Sequence, residues 1–249
     1  MIPVIHRDTL APHRFSGCAG FGRSKSRFNG CASVFTLQRF LSSDGNTVAW
    51  YRSQIGQTND GAGLCSSWAN QIGAAGALTA ATTARPTIQS DGSLLFDGTA
   101  NIIRTAAFTL NQPETIYVVF SLISWVGNAD IIDGVTQSSG VIFCNTSTPN
   151  FDVYAGANLG NNATLTVGTS SVVTVVINGA SSSSQVDSAT KKTGNAGAAN
   201  MGGITLGAGG GGGNFSNIQV KELIVRSVAD NATTQSLIQG YLKAIYGTP

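Results

Sequence analysis

The sequence predicts an all-β protein: an antiparallel β-sandwich with a basic arm at its N-terminal end and a short helix at its C-terminal end. Three observations carry this. Of 249 residues, 42% are hydrophobic, only 10% are charged and 31 are glycine, a composition suited to many short strands joined by tight turns. β-Branched and aromatic runs of strand length recur between turn signals. Helical spacing of apolar residues, three and four apart, emerges only after Val225. A chain of this length commonly forms one sandwich around one core.

Val34 to Phe40 is a mixed apolar stretch that fits a helix or a strand. Val48-Ala49-Trp50-Tyr51 reads as a strand, and Asn59-Asp60-Gly61 is a turn signal. Leu94-Leu95-Phe96 runs into a turn at Asp97-Gly98, and Ile102-Ile103 resumes the sheet. Thr115 to Phe120 is β-branched and aromatic throughout, as in a strand buried on both faces. Ile131-Ile132 ends at Asp133-Gly134, and Val141-Ile142-Phe143 begins another strand. Phe151-Asp152-Val153-Tyr154 alternates, so it should be half exposed. Val172 to Ile177 leads to the hairpin signal Asn178-Gly179. Ser181 to Ser184 and Gly207 to Gly213 are low-complexity stretches between strands. The glycine run lacks the Lys-Ser or Lys-Thr of a phosphate-binding loop, so it reads as a flexible or tightly packed surface loop. Ile218 to Val225 is the last long strand. Leu237, Ile238, Tyr241, Leu242, Ile245 and Tyr246 then form one stripe of a helix that packs on the sandwich, with candidate caps in Ser227 to Asn231 and a stop at Gly247.

Four phrases carry a family resemblance: Arg85-Pro86-Thr87, Leu94-Leu95-Phe96-Asp97-Gly98, Lys221-Glu222-Leu223-Ile224-Val225, and Tyr241-Leu242 followed by Tyr246-Gly247. In that order, over roughly Trp68 to Gly247, the chain resembles the concanavalin A-like, laminin-G-like jelly-roll domains. The resemblance implies residues 61–249 as the sandwich and residues 1–60 as a basic anchoring arm. Domains of this kind with a short leader and no catalytic carboxylates look like those of tailed-bacteriophage structural proteins. That implies a non-enzymatic virion component of head, fibre or tail, held to capsid or tail proteins by the arm and displaying the sandwich outward, as a homo-oligomer or lattice. The alternative is a carbohydrate-binding module that adheres to host or environmental glycans.

Charge agrees with an arm. Residues 1–40 hold Arg7, Arg14, Arg23, Lys25, Arg27 and Arg39 against Asp8, a net +5, whereas the remainder of the chain carries −3. These cations, with Phe21 and Phe28 to fill pockets on a neighbour, are the expected partner contacts. Nucleic acid is not an expected partner, because no reader motif accompanies the charge. Met1 to Ile5 is followed at once by His6-Arg7-Asp8, so no signal-peptide core is present and synthesis in the host cytoplasm is expected. Mean hydropathy is +0.12, but the longest apolar run, Thr115 to Gly127, is broken by Ser121 and Ser124 and is too short to span a bilayer. Cys18, Cys31, Cys65 and Cys144 form no C-x-x-C pair. Reduced thiols are the preferred reading, with a disulfide left open.

Catalysis is not expected. Retaining glycosidases on such sandwiches need two carboxylates about 5–5.5 Å apart. Glu114 and Glu222 each stand alone in sequence, and Asp130 and Asp133, three apart on a strand, point to opposite faces. Both histidines, His6 and His13, lie in the arm, which removes a Ser-His-Asp set. Sugar binding has better candidates. Lectin-like sites join an aromatic platform to carboxylate and amide groups on loops, and Trp125, Asn128, Asp130, Asp152 and Tyr154 supply these groups. No cofactor is expected; calcium is compatible with folds of this kind, but no acidic cluster marks a site.

Overall fold

A computed structural model describes residues 37–146, 150–162 and 165–249. Two antiparallel eight-stranded sheets face each other. The first runs β14 (Lys192–Gly194), β13 (Ser182–Val186), β12 (Ser170–Ile177), β8 (Glu114–Leu122), β16 (Asn217–Arg226), β6 (Leu94–Asp97) and β5 (Thr87–Ile88), with β1 (Thr47–Arg52) also paired to β16. The second runs β11 (Phe151–Tyr154), β10 (Val141–Cys144), β9 (Asp130–Asp133), β15 (Thr205–Leu206), β7 (Ile103–Arg104), β4 (Leu78–Thr79), β3 (Cys65–Trp68) and β2 (Gln57–Asn59). Helix α1 covers residues 37–43, and α2 covers Ala232–Tyr246.

Alternation along β8 sorts the molecule into two cores. Ile116, Val118, Phe120 and Leu122 face the second sheet and join the inter-sheet core with Phe96, Trp68, Phe151 and Val175. Tyr117 and Val119 face the other way and are buried under the helices with Leu37, Leu41, Trp50, Ile238 and Leu242. Every residue of β8 is therefore buried, as its unbroken apolar run predicts. β1 and β6 share one edge of β16: β1 pairs with Glu222 to Arg226 and β6 with Asn217 to Val220, on either side of a bulge at Lys221.

The family-like phrases are structural. Leu94 and Phe96 are core residues. The Asp97 carboxylate accepts the backbone N–H groups of Thr99, Ala100 and Asn101 and so closes its turn. Burial acts to raise its pKa, but these donors outweigh it and hold the carboxyl at about 2. Asn231 caps α2 by accepting the N–H of Thr234, and Gly247 ends it in the left-handed region.

Three expectations are corrected. Residues 37–60 belong to the sandwich, not to an arm, because β1 completes the first sheet and Leu37 and Leu41 are fully buried. Ser182, Ser183 and Ser184 do not lie between strands but make up most of β13, paired on both sides with β12 and β14. β11 is not half exposed: Asp152 is buried beneath the loop that follows, and only Tyr154 retains surface. Arg7, Arg14, Phe21, Arg23, Lys25, Arg27 and Phe28 lie outside the described residues, and Arg39 is exposed on α1. Among the described residues no helix is long and apolar enough to cross a membrane. Cys65 and Cys144 are free and buried, and burial pushes their thiols up to about 11 and about 12.

Candidate functional site

The outer face of the second sheet carries a cleft of about 180 Å³. Strand register builds its wall. Phe143 stands opposite Asp130 on one side and Asp152 on the other, and Val141 stands opposite Tyr154. Opposed residues share a face, so these five side chains project outward, while Ile142, Phe151 and Val153 point into the core. Asp130, Val141, Phe143 and Tyr154 line the cleft, together with Asn128, Ser138, Asn158 and Asn214.

Two of the three asparagines sit on left-handed backbone, Asn128 at φ 62° and Asn214 at φ 55°, a conformation that asparagine tolerates better than most residues. The Asn128 N–H donates to the Cys144 carbonyl at 2.8 Å, tying its turn to β10. Asn214 is held twice to Asp130: its carbonyl accepts the Asp130 N–H at 2.8 Å, and its amide donates to the carboxylate at 3.2 Å. The glycine run presses on the same carboxylate, since a Cβ on Gly209 would lie 2.6 Å from Asp130 Oδ2. Burial, and next the neighbouring charge of Asp133, raise the Asp130 carboxyl to about 7, against the opposing bond from Asn214.

Asp133 has a different part. Its two oxygens accept the backbone N–H groups of Gly134, Ser138, Ser139 and Gly210 at 2.7–3.1 Å. It therefore pins the 134–139 turn and the glycine run below the cleft, as expected of a residue before a turn glycine. Asp152 is likewise committed, accepting N–H bonds from Val153 and Gly160 at 2.7 and 2.9 Å. Those bonds fix the loop that carries Asn158, which also bridges Tyr154.

The five residues singled out for sugar contact thus separate. Asn128, Asp130 and Tyr154 meet in the cleft, whereas Asp152 supports its rim. Trp125 is not among the lining residues: its indole N–H donates to the Asn145 carbonyl at 3.1 Å and its ring packs against the inter-sheet core. Asn214, Phe143, Val141 and Ser138 carried no functional signal in the sequence. A glycine run followed by asparagine was the one available hint. Among the described residues no three of His, Cys, Asp and Glu gather as a metal site.

No protein-family model matches the chain, and no curated protein matches it in sequence. Solved structures do match. The Trypanosoma rangeli sialidase superposes with a TM-score of 0.58 at 10% identity, over 88% of this chain and 39% of that one. A GH54 α-L-arabinofuranosidase, soaked with a cyclic sulfate inhibitor, superposes with a TM-score of 0.59 at 14% identity, over 74% of this chain and 51% of that one. The likeness is one of fold. The chain spans between two fifths and half of the length of these neighbours, both of which are glycosidase-like β-sandwich proteins.

These neighbours correct the reading of the chain as a phage structural protein displayed on a virion: they are carbohydrate-active enzymes. The physical reason lies in the motifs that suggested it. Leu94, Phe96, Asp97 and Leu223 serve the core and a turn, and residues with such duties carry a fold, not a biological setting.

Proposed function

We propose that this protein binds carbohydrate through the cleft on its second sheet, as a recognition domain rather than a hydrolase. The observation that carries this is the convergence of one carboxylate, three amides and two aromatic rings on a single small cleft: Asp130, Asn128, Asn158, Asn214, Phe143 and Tyr154. Sugar rings present apolar C–H faces and fans of hydroxyl groups, and this set offers a partner for each. The volume is below the ~300–1,000 Å³ of drug-sized pockets, which suits one sugar residue or a chain end. The fold shared with the sialidase and the arabinofuranosidase is consistent with a saccharide ligand.

Binding is favoured over hydrolysis by the count of acids. Among the described residues Asp130 is the one carboxylate lining the cleft. Paired-carboxylate hydrolysis needs a second at ~5–5.5 Å or ~6.5–9.5 Å, and Asp133 and Asp152 are engaged with backbone donors.

The test is a glycan array followed by calorimetry on the best ligand. Tyr154→Ala should weaken affinity by about tenfold, the loss of one aromatic platform. Asp130→Asn should remove the pH dependence. With the folded carboxyl raised to about 7, the acceptor that sugar hydroxyls need is gained as pH rises through that value, so wild-type affinity should climb between pH 6 and 8. Array binding that is untouched by both substitutions would refute the cleft as the site. Release of nitrophenol from aryl glycosides by the wild type, abolished in Asp130→Asn, would overturn the non-catalytic reading.

A further inference from the structure

A second and larger cleft, of about 340 Å³, lies on the opposite side of the sandwich, where β1, the β16 bulge and the end of α2 meet. Arg52, Ser53, Gln54, Lys221, Ile245 and Tyr246 line it, with Ile55 and Asp91. Two cations from different strands therefore face one concavity. Arg52 ends β1, directly opposite Glu222, and Lys221 occupies the bulge of β16.

Each cation has one acid near it, Glu222 beside Arg52 and Asp91 beside Lys221, and neither acid closes a tight ion pair. Glu222 is buried, and both of its oxygens are taken: Trp50 Nε1 donates to one at 2.6 Å and the Tyr246 hydroxyl to the other at 2.7 Å. Among the described residues no carboxylate comes within ion-pair distance of Arg52, whose guanidinium instead lies 4.8 Å from the Trp50 ring and whose Nε is buried without a partner. Lys221 reaches Asp91 at 3.9 Å, the outer limit of an ion pair, and Asp91 is half exposed.

The cleft is also held in shape. Gln54 adopts φ 65°, its amide donates to the Asp91 carbonyl at 3.0 Å, and a Cβ on Gly92 would strike its backbone at 2.4 Å. The wall after β1 and the 91–92 turn are therefore locked together before any ligand arrives, which lowers the ordering cost of binding. Ile55 and Ile245 leave about a third of their surface open at the mouth.

We propose that this cleft is a binding site for a small organic carboxylate, gripped between Arg52 and Lys221, with Ile55 and Ile245 against its carbon body. Arginine supplies the planar fork that matches a carboxylate, and lysine adds a point charge. The site is separate from the sugar cleft and does not depend on it.

The experiment titrates the full chain with glucuronate, pentanoate, glucose and sodium sulfate at constant ionic strength, by calorimetry and thermal shift. Saturable binding of glucuronate or pentanoate, without binding of glucose and with sulfate at least tenfold weaker, is expected. Which of the two acids binds tells a sugar acid from an aliphatic one. Arg52→Gln should weaken the bound acid about tenfold or more and Lys221→Gln several-fold. Circular dichroism of each variant without ligand checks its fold, and Lys221, whose side chain is 21% exposed, keeps the test informative if Arg52→Gln unfolds. Absence of saturable binding, equal binding of sulfate, or carboxylate binding unchanged in Lys221→Gln would each overturn the proposal. Loss of glucuronate binding in Tyr154→Ala alone would assign the ligand to the other cleft and overturn it as well.

Discussion

Glu114 is the residue most at odds with its surroundings. It begins β8 fully buried, both carboxylate oxygens lack a partner among the described residues, and burial raises its pKa to about 8. In the unfolded chain the group titrates near 4.5, so the folded state binds the extra proton between those values. Its contribution to stability is fully present below about pH 4.5 and is lost as pH rises through 8. Glu114→Gln should remove that slope, leaving a melting temperature above the wild type at pH 9 and close to it at pH 5. Thermal melts at the two pH values check this; equal melting temperatures at pH 9 would show that the acid finds a partner when charged. Arg226 is the contrary case. It is buried but satisfied, with Asp230 at 2.7 Å, Asp44 against its outer nitrogen, and the Tyr117 hydroxyl donating to Asp230 at 2.8 Å. Arg226→Leu strands Asp230 and should cost about 3–5 kcal/mol in urea unfolding.

At the scale of elements, the glycine run and α2 show how local rules are used and overridden. Gly207 at φ 82° leaves no room for a side chain, because a Cβ would lie 2.1 Å from Phe96, and one on Gly210 would meet the Gly134 carbonyl at 2.6 Å. The run is a packed support for Asp130, so Gly207→Val should destabilise by several kcal/mol through both strain and overpacking. Gly213 has nothing within 4 Å and a normal φ, so Gly213→Ala should be nearly silent; chemical denaturation of the pair separates the two positions. In α2 only part of the predicted stripe is buried. Ile238, Tyr241 and Leu242 seal Trp50 and Tyr117, whereas Leu237 and Ile245 stay 42% and 37% exposed. Removing the Asn231 cap by alanine should cost about 1 kcal/mol.

For the whole molecule, the folding unit starts earlier than a division at residue 60. β1 hydrogen-bonds to β16 along its length, and Trp50 and Tyr51 are each buried to within 1%. A chain that begins at residue 37 should unfold cooperatively near the full-length melting temperature. One that begins at residue 61 lacks Trp50 and Tyr51, leaves the Glu222 to Arg226 edge of β16 unpaired and uncovers Trp68, against which Tyr51 packs, so it should lose the near-ultraviolet signal of packed tryptophan. Size measurement of the full and the 37–249 chains tests self-association: a smaller particle for the shorter chain would assign it to residues 1–36, and equal oligomers would assign it to the sandwich.

Period and punctuation by themselves determined the fold class of this protein. The unbroken apolar run of β8, the Asp97-Gly98 turn and the three- and four-residue spacing of Ile238, Tyr241 and Leu242 are local signals, each set by what the backbone does within a few residues. Asn128, Asp130 and Tyr154 could be nominated because aromatic, amide and acid groups near turns are legible one at a time. Their meeting was not, nor the arrival of Asn214 from 84 residues beyond Asp130, because register across β9, β10 and β11 and the packing of the glycine run bring them together. Ser182 to Ser184 became a strand for the same reason: two neighbours supply its hydrogen bonds, overriding a weak local preference. The second cleft was invisible in sequence, since Arg52 and Lys221 are separated by most of the chain. They face one ligand-sized space only because β1 and β16 pair and α2 closes over them. Local chemistry named the parts, and long-range pairing decided which of them share a site.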